Sequence, residues 1–300
     1  MNVRMQTAAV VSSIHWRGYI RLCKLKVVSL VVFTAMVGML LAAPPGHPPW
    51  ALLLDASIGI MLAGASAAAF NQVADRDIDA MMRRTRSRPL PSGDVTPGAA
   101  TWFAALLGIA ALTLLWFAVN PLTAVLTLFT LIGYAVVYTR YLKWIGPMNI
   151  VLGGASGAAP ALLGWCAVSG RLEWQALPLF LIIFVWTPPH FWALAIARRA
   201  EYATAGVPML PVTHGVAYTK RSILAYTLVL LPVSLLPWVM GPSGRLYLAG
   251  ALALGFVFVL RAYRLLHQES DRAALNLFGY SITYLTALFA LLLADCYLPF

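Results

Sequence analysis

Charged residues are scarce in this 300-residue chain. They make up 10% of the sequence against 61% hydrophobic residues, whereas soluble domains average about 25% charged. This composition excludes an ordinary soluble globule. Apolar runs close to the ~20 residues needed to cross a bilayer recur along the whole chain. We expect nine spans, at 27–43, 51–73, 99–119, 122–139, 150–168, 174–197, 222–240, 246–263 and 275–296.

Long polar stretches between these runs are also missing, so the sequence predicts no appended soluble domain. We expect an all-α, polytopic membrane protein whose nine transmembrane helices surround a central cavity capped by cytoplasmic loops. Residues 1–26 form a basic cytoplasmic tail in this interpretation, and residues 27–300 form one membrane domain. The lipid bilayer is then the first predicted partner.

Acidic residues are few enough to leave a net charge of +11, with 21 Lys and Arg against ten Asp and Glu. Such an excess can indicate nucleic-acid binding, but here its distribution follows the membrane. With nine spans and an internal N-terminus, only Arg171 and Arg245 fall on the outer side, as the positive-inside rule requires. We therefore expect no nucleic-acid partner. The location predicted is a bacterial inner membrane with a periplasmic C-terminus; a mitochondrial inner membrane is the less favoured alternative.

Cysteine is equally sparse. Cys23, Cys166 and Cys296 are scattered without paired spacing. They indicate neither a disulfide framework nor a cysteine metal site.

The few acidic residues are unevenly placed. Three of the ten, Asp75, Asp77 and Asp79, lie within five positions, where the second apolar run meets a basic loop. Asn71, Asp75 and Asp79 recur every four residues, so successive side chains lie about 40° apart on one helix face. Stacked oxygen ligands of this kind suit Mg²⁺ that completes its shell with phosphate. The sequence predicts that Asp75 and Asp79 bind Mg²⁺ with help from Asn71.

The residues that follow supply positive charge for an anion. Arg83, Arg86 and Arg88 are predicted to bind a diphosphate beside the acids. The alternative is a solvated helix end in which Asp77 and Asp79 pair with Arg76 and Arg83. The four-residue spacing, the apolar helix beneath and the basic continuation favour the Mg²⁺–diphosphate site. The cost of burying such charges at the bilayer centre places them at the cytoplasmic rim.

A second long loop, 198–221, carries further candidates on the same side of the membrane. Glu201 is predicted to complete a cation site facing the first loop. Arg198, Arg199, Lys220 and Arg221 either hold phosphate oxygens or only set topology, and the sequence leaves both open.

The sixth apolar run contains Trp186-Thr187-Pro188-Pro189-His190-Phe191-Trp192. Two adjacent prolines are expected to open the helix toward a cavity lined by protein. His190 is an ionisable residue at membrane depth and is predicted to ligate iron, bond a propionate or shuttle a proton. A histidine satisfied by a neighbouring helix is an equally good interpretation. His214 is a weaker candidate of the same kind.

The fifth run is rich in small residues and includes the pair Gly153 and Gly157. This spacing is typical of close helix packing. It would also leave room beside the helix for a bulky lipid chain.

These residues resemble the haem-modifying branch of the UbiA-type intramembrane prenyltransferases. Asn71, Asp75 and Asp79 match the first family motif, and Thr85-Arg86-Ser87-Arg88-Pro89-Leu90 matches its basic continuation. The segment 186–192, then Glu201-Tyr202 and 205–211, match the branch signature, and Asn149-Ile150-Val151 also resembles it. Other branches carry further aspartates where this chain has Arg198 and Glu201, which argues against a second, independent Mg²⁺ site.

The resemblance implies transfer of a farnesyl group from farnesyl diphosphate to a vinyl group of haem B, giving haem O for terminal oxidases. It implies Mg²⁺ as cofactor at Asp75, Asp79 and Glu201. The substrate-binding residues that it implies are Arg83, Arg86, Arg88, Lys143, His190, Arg198, Tyr202 and Lys220. A haem A synthase or an oxidase assembly protein is an expected partner.

Two alternatives stay open at this stage. A sibling enzyme that prenylates a quinone precursor or another tetrapyrrole would use the same acidic site. A secondary transporter would also carry broken helices and embedded acids, but near the bilayer midplane.

Overall fold

The computed structural model describes residues 16–44, 46–240 and 243–298. Over these residues the chain is helical and has no β-strand, and nine helical segments are long and apolar enough to cross a membrane. They are α2 (Leu25–Ala42), α3 (Trp50–Ala74), α5 (Pro97–Leu114, continued by a π-helix over Leu115–Val119), α6 (Pro121–Ile132, continued by a π-helix over Gly133–Leu142 and by α7, Lys143–Ile145), α8 (Asn149–Ser169), α9 (Leu177–Ala197, preceded by a 3₁₀ turn over Trp174–Ala176), α12 (Gly215–Val239), α13 (Arg245–Leu266) and α14 (Asp271–Tyr297). The predicted all-α, nine-helix fold is confirmed.

Four short helices lie outside the spans, on the side that holds most of the basic residues. They are α1 (Trp16–Leu22), α4 (Arg76–Met81), α10 (Arg199–Thr204) and α11 (Leu210–Thr213). The helix α1 packs against α3 and α5, with the Tyr19 and Phe103 rings 5.0 Å apart. Residues 1–15 of the predicted tail lie outside the described residues, so the division at residue 26 stays a prediction.

Local sequence fixes several helix starts. The Thr96 side chain accepts a hydrogen bond from the Ala99 N–H, and Pro97 occupies the first helical position of α5. Asn120 and Pro121 repeat the arrangement at α6. In both cases the cap satisfies a free N–H group and proline needs no partner there.

Helix α12 begins earlier than predicted. Its first residue is Gly215 rather than 222, so Lys220 and Arg221 belong to the helix instead of the loop. The first polar residues show where the apolar layer of the membrane ends, but a helix can continue past them. Long basic side chains allow this because they bury their stems and keep their charge near the interface.

The backbones of α2 and α8 approach each other closely at two glycines. A Cβ added to Gly38 would lie 2.1 Å from the Ala161 carbonyl oxygen, and one added to Gly164 would lie 2.0 Å from that of Ala35. Glycine is therefore required at both crossings. Of the predicted pair Gly153 and Gly157, only Gly153 packs closely, against the Tyr138 ring. A Cβ added to Gly157 would contact nothing within 4 Å.

Helix α9 lies among α8, α12 and α14 and runs from Leu177 to Ala197 despite Pro188 and Pro189. The expected opening of this helix is wrong. The residues before the prolines stay helical, and the Thr187 hydroxyl donates to the Ile183 carbonyl at 2.8 Å. Three packed neighbours hold the segment in place, so loss of two backbone donors does not break it.

Candidate active site

The acidic motif lies where α3 passes into α4. Asp75 is the residue between the two helices, with φ −91° and ψ 3°. The hydrogen-bond ladder nevertheless continues, from the Asp75 N–H to the Asn71 carbonyl at 3.0 Å and from the Asp79 N–H to the Asp75 carbonyl at 2.8 Å. The predicted four-residue spacing is therefore kept through a slight break in the helix.

All three side chains of the motif are buried. Asn71, Asp75 and Asp79 are 6%, 7% and 4% exposed. Asp77, by contrast, is exposed and pairs with Arg76 at 3.3 Å. A solvated helix end therefore describes Asp77 but not the other three.

Each buried acid has a cation from elsewhere in the chain. The Lys143 Nζ lies 2.9 Å from the Asp75 Oδ1. One Arg88 guanidinium nitrogen lies 2.8 and 2.6 Å from the two oxygens of Asp79. Buried carboxylates are stable only when they are paired in this way. Lys143 was predicted to contact phosphate directly, and in this structure it holds the acid.

Asn71 links Asp75 to Lys24. Its side-chain amide donates to the Asp75 Oδ2 at 3.0 Å, and its Oδ1 accepts from the Lys24 Nζ at 2.7 Å. The same amide lies 3.4 Å from the Thr139 hydroxyl in the π-helical part of α6.

Lys24 is a site residue that the sequence did not reveal. It precedes α2 with φ 48°, the only described non-glycine residue at positive φ. Burial and the neighbouring Arg88 lower the pKa of Lys24 to about 7, against the opposing pull of Asp79 and Asp75. The one available signal was its position as a basic residue at the edge of a span on the same membrane side as Asn71.

The other predicted arginines of the first loop do not reach the acids. Arg83 and Arg86 are exposed, and neither side chain has a hydrogen-bond partner among the described residues. Thr85 is buried, and its hydroxyl donates to the Asp79 carbonyl at 2.9 Å. This contact folds the segment back so that Arg88, rather than its neighbours, meets Asp79.

Lys143 is positioned by Asn149. The Asn149 side-chain amide donates to the Lys143 carbonyl at 2.9 Å, across the turn between α7 and α8. Asn149 is 2% exposed. It therefore acts on the backbone of the residue that pairs with Asp75.

The second loop is placed differently. The Glu201 carboxylate pairs with Arg198 at 3.1 Å and accepts from the Arg84 backbone N–H at 3.4 Å. Burial raises the pKa of Tyr202, against the opposing charge of Arg84. These contacts join the two loops, and a cluster of apolar side chains beneath them strengthens the join: Ile78, Met82, Ile150, Ala195, Tyr202, Ala205, Val207 and Met209.

Lys220 does not reach the acids either. It is 8% exposed, and its Nζ donates to the Gln268 backbone carbonyl between α13 and α14. Arg199 makes a similar link to Asp271 at 2.5 Å. In this structure Arg199 ties the second loop to α14, and Lys220 ties α12 to the turn between α13 and α14.

His190 lies between α9 and α14. Its ring stacks between Trp186 and Phe278, with centroids 4.2 and 4.5 Å away, and its Nδ1 is 2.6 Å from the Ser281 hydroxyl oxygen. The Ser281 hydroxyl donates to the Phe278 carbonyl at 2.6 Å, so its oxygen accepts from His190. The ring is thereby fixed with its proton on Nδ1 and an electron pair on Nε2.

The second candidate histidine is peripheral. His214 is exposed at the start of α12, 2.9 Å from the Thr213 hydroxyl and beside the Tyr218 ring.

The buried oxygens fit Mg²⁺ only in company with a phosphate. Amide and carboxylate oxygens of Asn71, Asp75 and Asp79 are the hard donors that Mg²⁺ takes. Among the described residues, however, no three His, Cys, Asp or Glu side chains lie close enough to hold a metal ion, and Glu201 is not joined to Asp75 and Asp79. Such a donor set suits an ion that takes its remaining ligands from diphosphate and water.

Comparison with known proteins then places the fold. A sequence profile of the UbiA prenyltransferase family matches residues 31–293. The chain belongs to the UbiA prenyltransferase family. It is 59% identical over 282 residues to the protoheme IX farnesyltransferase of Thioalkalivibrio sulfidiphilus, covering 94% of this chain and 93% of the relative. It is 55% identical over 285 residues to that of Methylococcus capsulatus, covering 95% of each.

Solved structures of lower identity share the fold. A digeranylgeranylglyceryl phosphate synthase superposes with a TM-score of 0.78 at 19% identity, over 94% of this chain and 98% of that one. A UbiA homologue from Archaeoglobus fulgidus bound to DMAPP and Mg²⁺ gives a TM-score of 0.66 at 16% identity, over 91% and 98%. The chain is thus a multi-pass membrane prenyltransferase.

Proposed function

We propose that this protein transfers a farnesyl group from farnesyl diphosphate to a vinyl group of haem B, forming haem O, with Mg²⁺ at Asp75 and Asp79. The name shared by relatives at 53–59% identity supports this choice of substrates over a quinone precursor. The observation that carries the mechanism is the group of two buried acids and three half-buried cations at the α3–α4 junction.

The charge of this group suits a diphosphate. Lys24, Arg88 and Lys143 outnumber Asp75 and Asp79 by one positive charge when Lys24 is protonated. A divalent ion would raise the excess to three, which matches the roughly three negative charges of a diphosphate monoester at neutral pH. Burial makes each of these interactions stronger than it would be in water.

Asp75 and Asp79 would hold the ion, and Asn71 would orient Asp75 through its 3.0 Å hydrogen bond. When bound there, Mg²⁺ would neutralise the charge that grows on the departing oxygens. Arg88 and Lys24, which donate to Asp79 and Asn71, would also donate N–H groups to the departing oxygens. Lys143 holds the Asp75 carboxylate in place through its 2.9 Å ion pair. Groups placed in advance around a developing charge lower the barrier because they need no rearrangement.

The acceptor completes the reaction. As the C–O bond to diphosphate breaks, the farnesyl carbon bonds to the terminal vinyl carbon of haem. Water then adds to the cation left beside the ring, and a proton is released. We propose that His190 positions haem through its free Nε2, since Ser281 occupies Nδ1. Glu201, Tyr202 and Arg198 close the loops over the site and exclude bulk water.

The remaining assignments are also proposals. The distribution of basic residues supports a bacterial inner membrane, a cytoplasmic active site and a periplasmic C-terminus. The fold relative solved with Mg²⁺ and DMAPP supports Mg²⁺ dependence. An association with haem A synthase or an oxidase assembly protein stays a prediction, which co-purification from the native membrane would test.

Haem extraction tests the proposed function. Cells that lack haem O, given this gene, should accumulate a farnesylated haem that is detectable by mass spectrometry. The Asp75→Asn variant, expressed to the same level, should produce none. Accumulation of a prenylated quinone precursor with unmodified haem would contradict the substrate assignment.

A further inference from the structure

A cavity of about 360 Å³ lies beside the acidic site, between α1, the start of α2 and the Arg88–Pro89 segment. This volume falls within the ~300–1,000 Å³ usual for small-molecule sites. Four basic residues line it, Arg21, Lys24, Lys26 and Arg88, and no acidic residue does.

Two of these cations belong to both the cavity and the catalytic group. Lys24 reaches Asn71 at 2.7 Å, and Arg88 reaches Asp79 at 2.6 Å. The cavity therefore adjoins the place where the diphosphate is held. An anion that leaves Asp75 and Asp79 can keep its contacts with Lys24 and Arg88 while it enters the cavity.

The other two cations extend the path outward. The Arg21 guanidinium bonds the Asp94 carboxylate at 3.2 Å and the Ser87 carbonyl. Lys26 is exposed, and its ammonium has no hydrogen-bond partner among the described residues. The Lys26 ammonium is therefore available to bind a ligand in the cavity.

We propose that this cavity is a second anion site, which receives inorganic pyrophosphate as it leaves the acidic site. The inference rests on the proposed function for the origin of the anion. Pyrophosphate cannot leave through hydrocarbon, because moving a multiply charged ion there is prohibitively costly. A polar exit on the loop side is therefore needed, and Lys24 and Lys26, whose hydrogen bonds and ion pairs involve no carboxylate among the described residues, supply it with uncompensated positive charge.

Product inhibition tests the proposal. The protein is placed in nanodiscs of zwitterionic phosphatidylcholine, and inorganic pyrophosphate is added at several farnesyl diphosphate concentrations. A site outside the catalytic one should give wild-type protein a mixed pattern, because both anions can be bound together. The Lys26→Glu variant should lose the noncompetitive component, and Lys26→Gln should weaken it about 2- to 5-fold. The KM for farnesyl diphosphate should stay within about 2-fold.

The control is Arg264→Gln, which removes an exposed positive charge at the end of α13, on the same side of the membrane. It should leave the inhibition pattern unchanged. Equal effects of the Lys26 and Arg264 substitutions, or no effect of Lys26→Glu, would overturn the proposal. Repeating the measurement with phosphatidylglycerol nanodiscs separates the two sources of phosphate: if anionic lipid abolishes the noncompetitive component, a headgroup is the natural occupant and the pyrophosphate assignment fails.

Direct binding of radiolabelled pyrophosphate separates this proposal from the proposed function. Wild-type protein should bind it with more than one affinity, and Lys26→Glu should remove the second one. If wild-type protein bound pyrophosphate in this way but left haem unmodified, the substrate assignment would fall and the anion site would stand.

Discussion

The two long loops on the basic side of the membrane carry similar residues and are built differently. In the first, the buried Asp79 and Asp75 pair with Arg88 and Lys143, which come from separate parts of the chain. The neighbouring Asn71 accepts a hydrogen bond from Lys24, before α2. In the second, Glu201 meets Arg198 only three residues away, and more than a third of the Arg198 side chain is exposed. A partly exposed local pair of this kind contributes little energy. The comparison indicates that the first loop places charged groups for a ligand, whereas the second loop joins the two loops together.

The largest effect should follow from removing a charge in the first loop. Asp79→Asn leaves the half-buried Arg88 without its partner and removes a proposed Mg²⁺ ligand, so prenyl transfer should fall by about 10²–10³-fold or more. Glu201→Gln should cost about 10-fold or less, because Glu201 joins loops and does not face the two acids. The rates are measured with saturating Mg²⁺ in nanodiscs. Equal losses in both variants would erase the distinction between the loops.

Arginines of the first loop should differ strongly among themselves. Arg88→Gln leaves the buried Asp79 without its cation, a loss worth ~2 kcal/mol, so activity should fall about 30-fold. Arg83→Gln removes an exposed side chain and should change activity less than about 2-fold. A single-turnover assay compares them. If Arg83→Gln were the more damaging change, the predicted role of the exposed arginines in binding diphosphate would be restored.

His190 and its partner test the acceptor side. Ser281→Ala removes a hydrogen bond worth about 1 kcal/mol, so haem retention should weaken about 5-fold while prenyl-diphosphate binding is kept. Ser222→Ala, on the exposed face of α12, is the matched control. His190→Ala should show the same selectivity with a larger loss. Equal weakening of both ligands in either variant would indicate a purely structural histidine.

An effect of similar size concerns pH. Because the pKa of Lys24 is lowered to about 7, its ammonium is charged below that pH and neutral above it. The KM for farnesyl diphosphate should therefore rise about 5-fold from pH 6.5 to 8.5 in the wild type. Lys24→Arg keeps the charge and should flatten the rise. If the KM of the two proteins changed with pH in the same way, Lys24 would not belong to the anion site.

Sequence alone predicted the spans because a helix that crosses the bilayer needs an apolar run of a fixed length. It also predicted that Asn71, Asp75 and Asp79 share one place, since spacing on a helix is a local property. It did not find Lys24, which lies 47 positions from Asn71, because that contact depends on how α2 and α3 pack. It did not separate Arg88 from Arg83 and Arg86, because the choice depends on the Thr85 turn.

Placement across helices was the other limit. Glu201 and Lys220 were assigned to ligands because they are charged and lie in the right loop. In the structure, Glu201 pairs with Arg198 and Lys220 donates to a backbone carbonyl near α14. The stacking of His190 between Trp186 and Phe278 likewise depends on how α9 meets α14, which no local pattern records.

The most direct test of the acidic site is a metal titration. Mn²⁺ is added as a paramagnetic substitute for Mg²⁺ in the presence of the unreactive analogue farnesyl thiolodiphosphate, and bound ions are counted by electron paramagnetic resonance. The site described here predicts that binding is lost in Asp75→Asn and Asp79→Asn and retained in Glu201→Gln. Metal binding that survives in both aspartate variants but disappears in Glu201→Gln would contradict it.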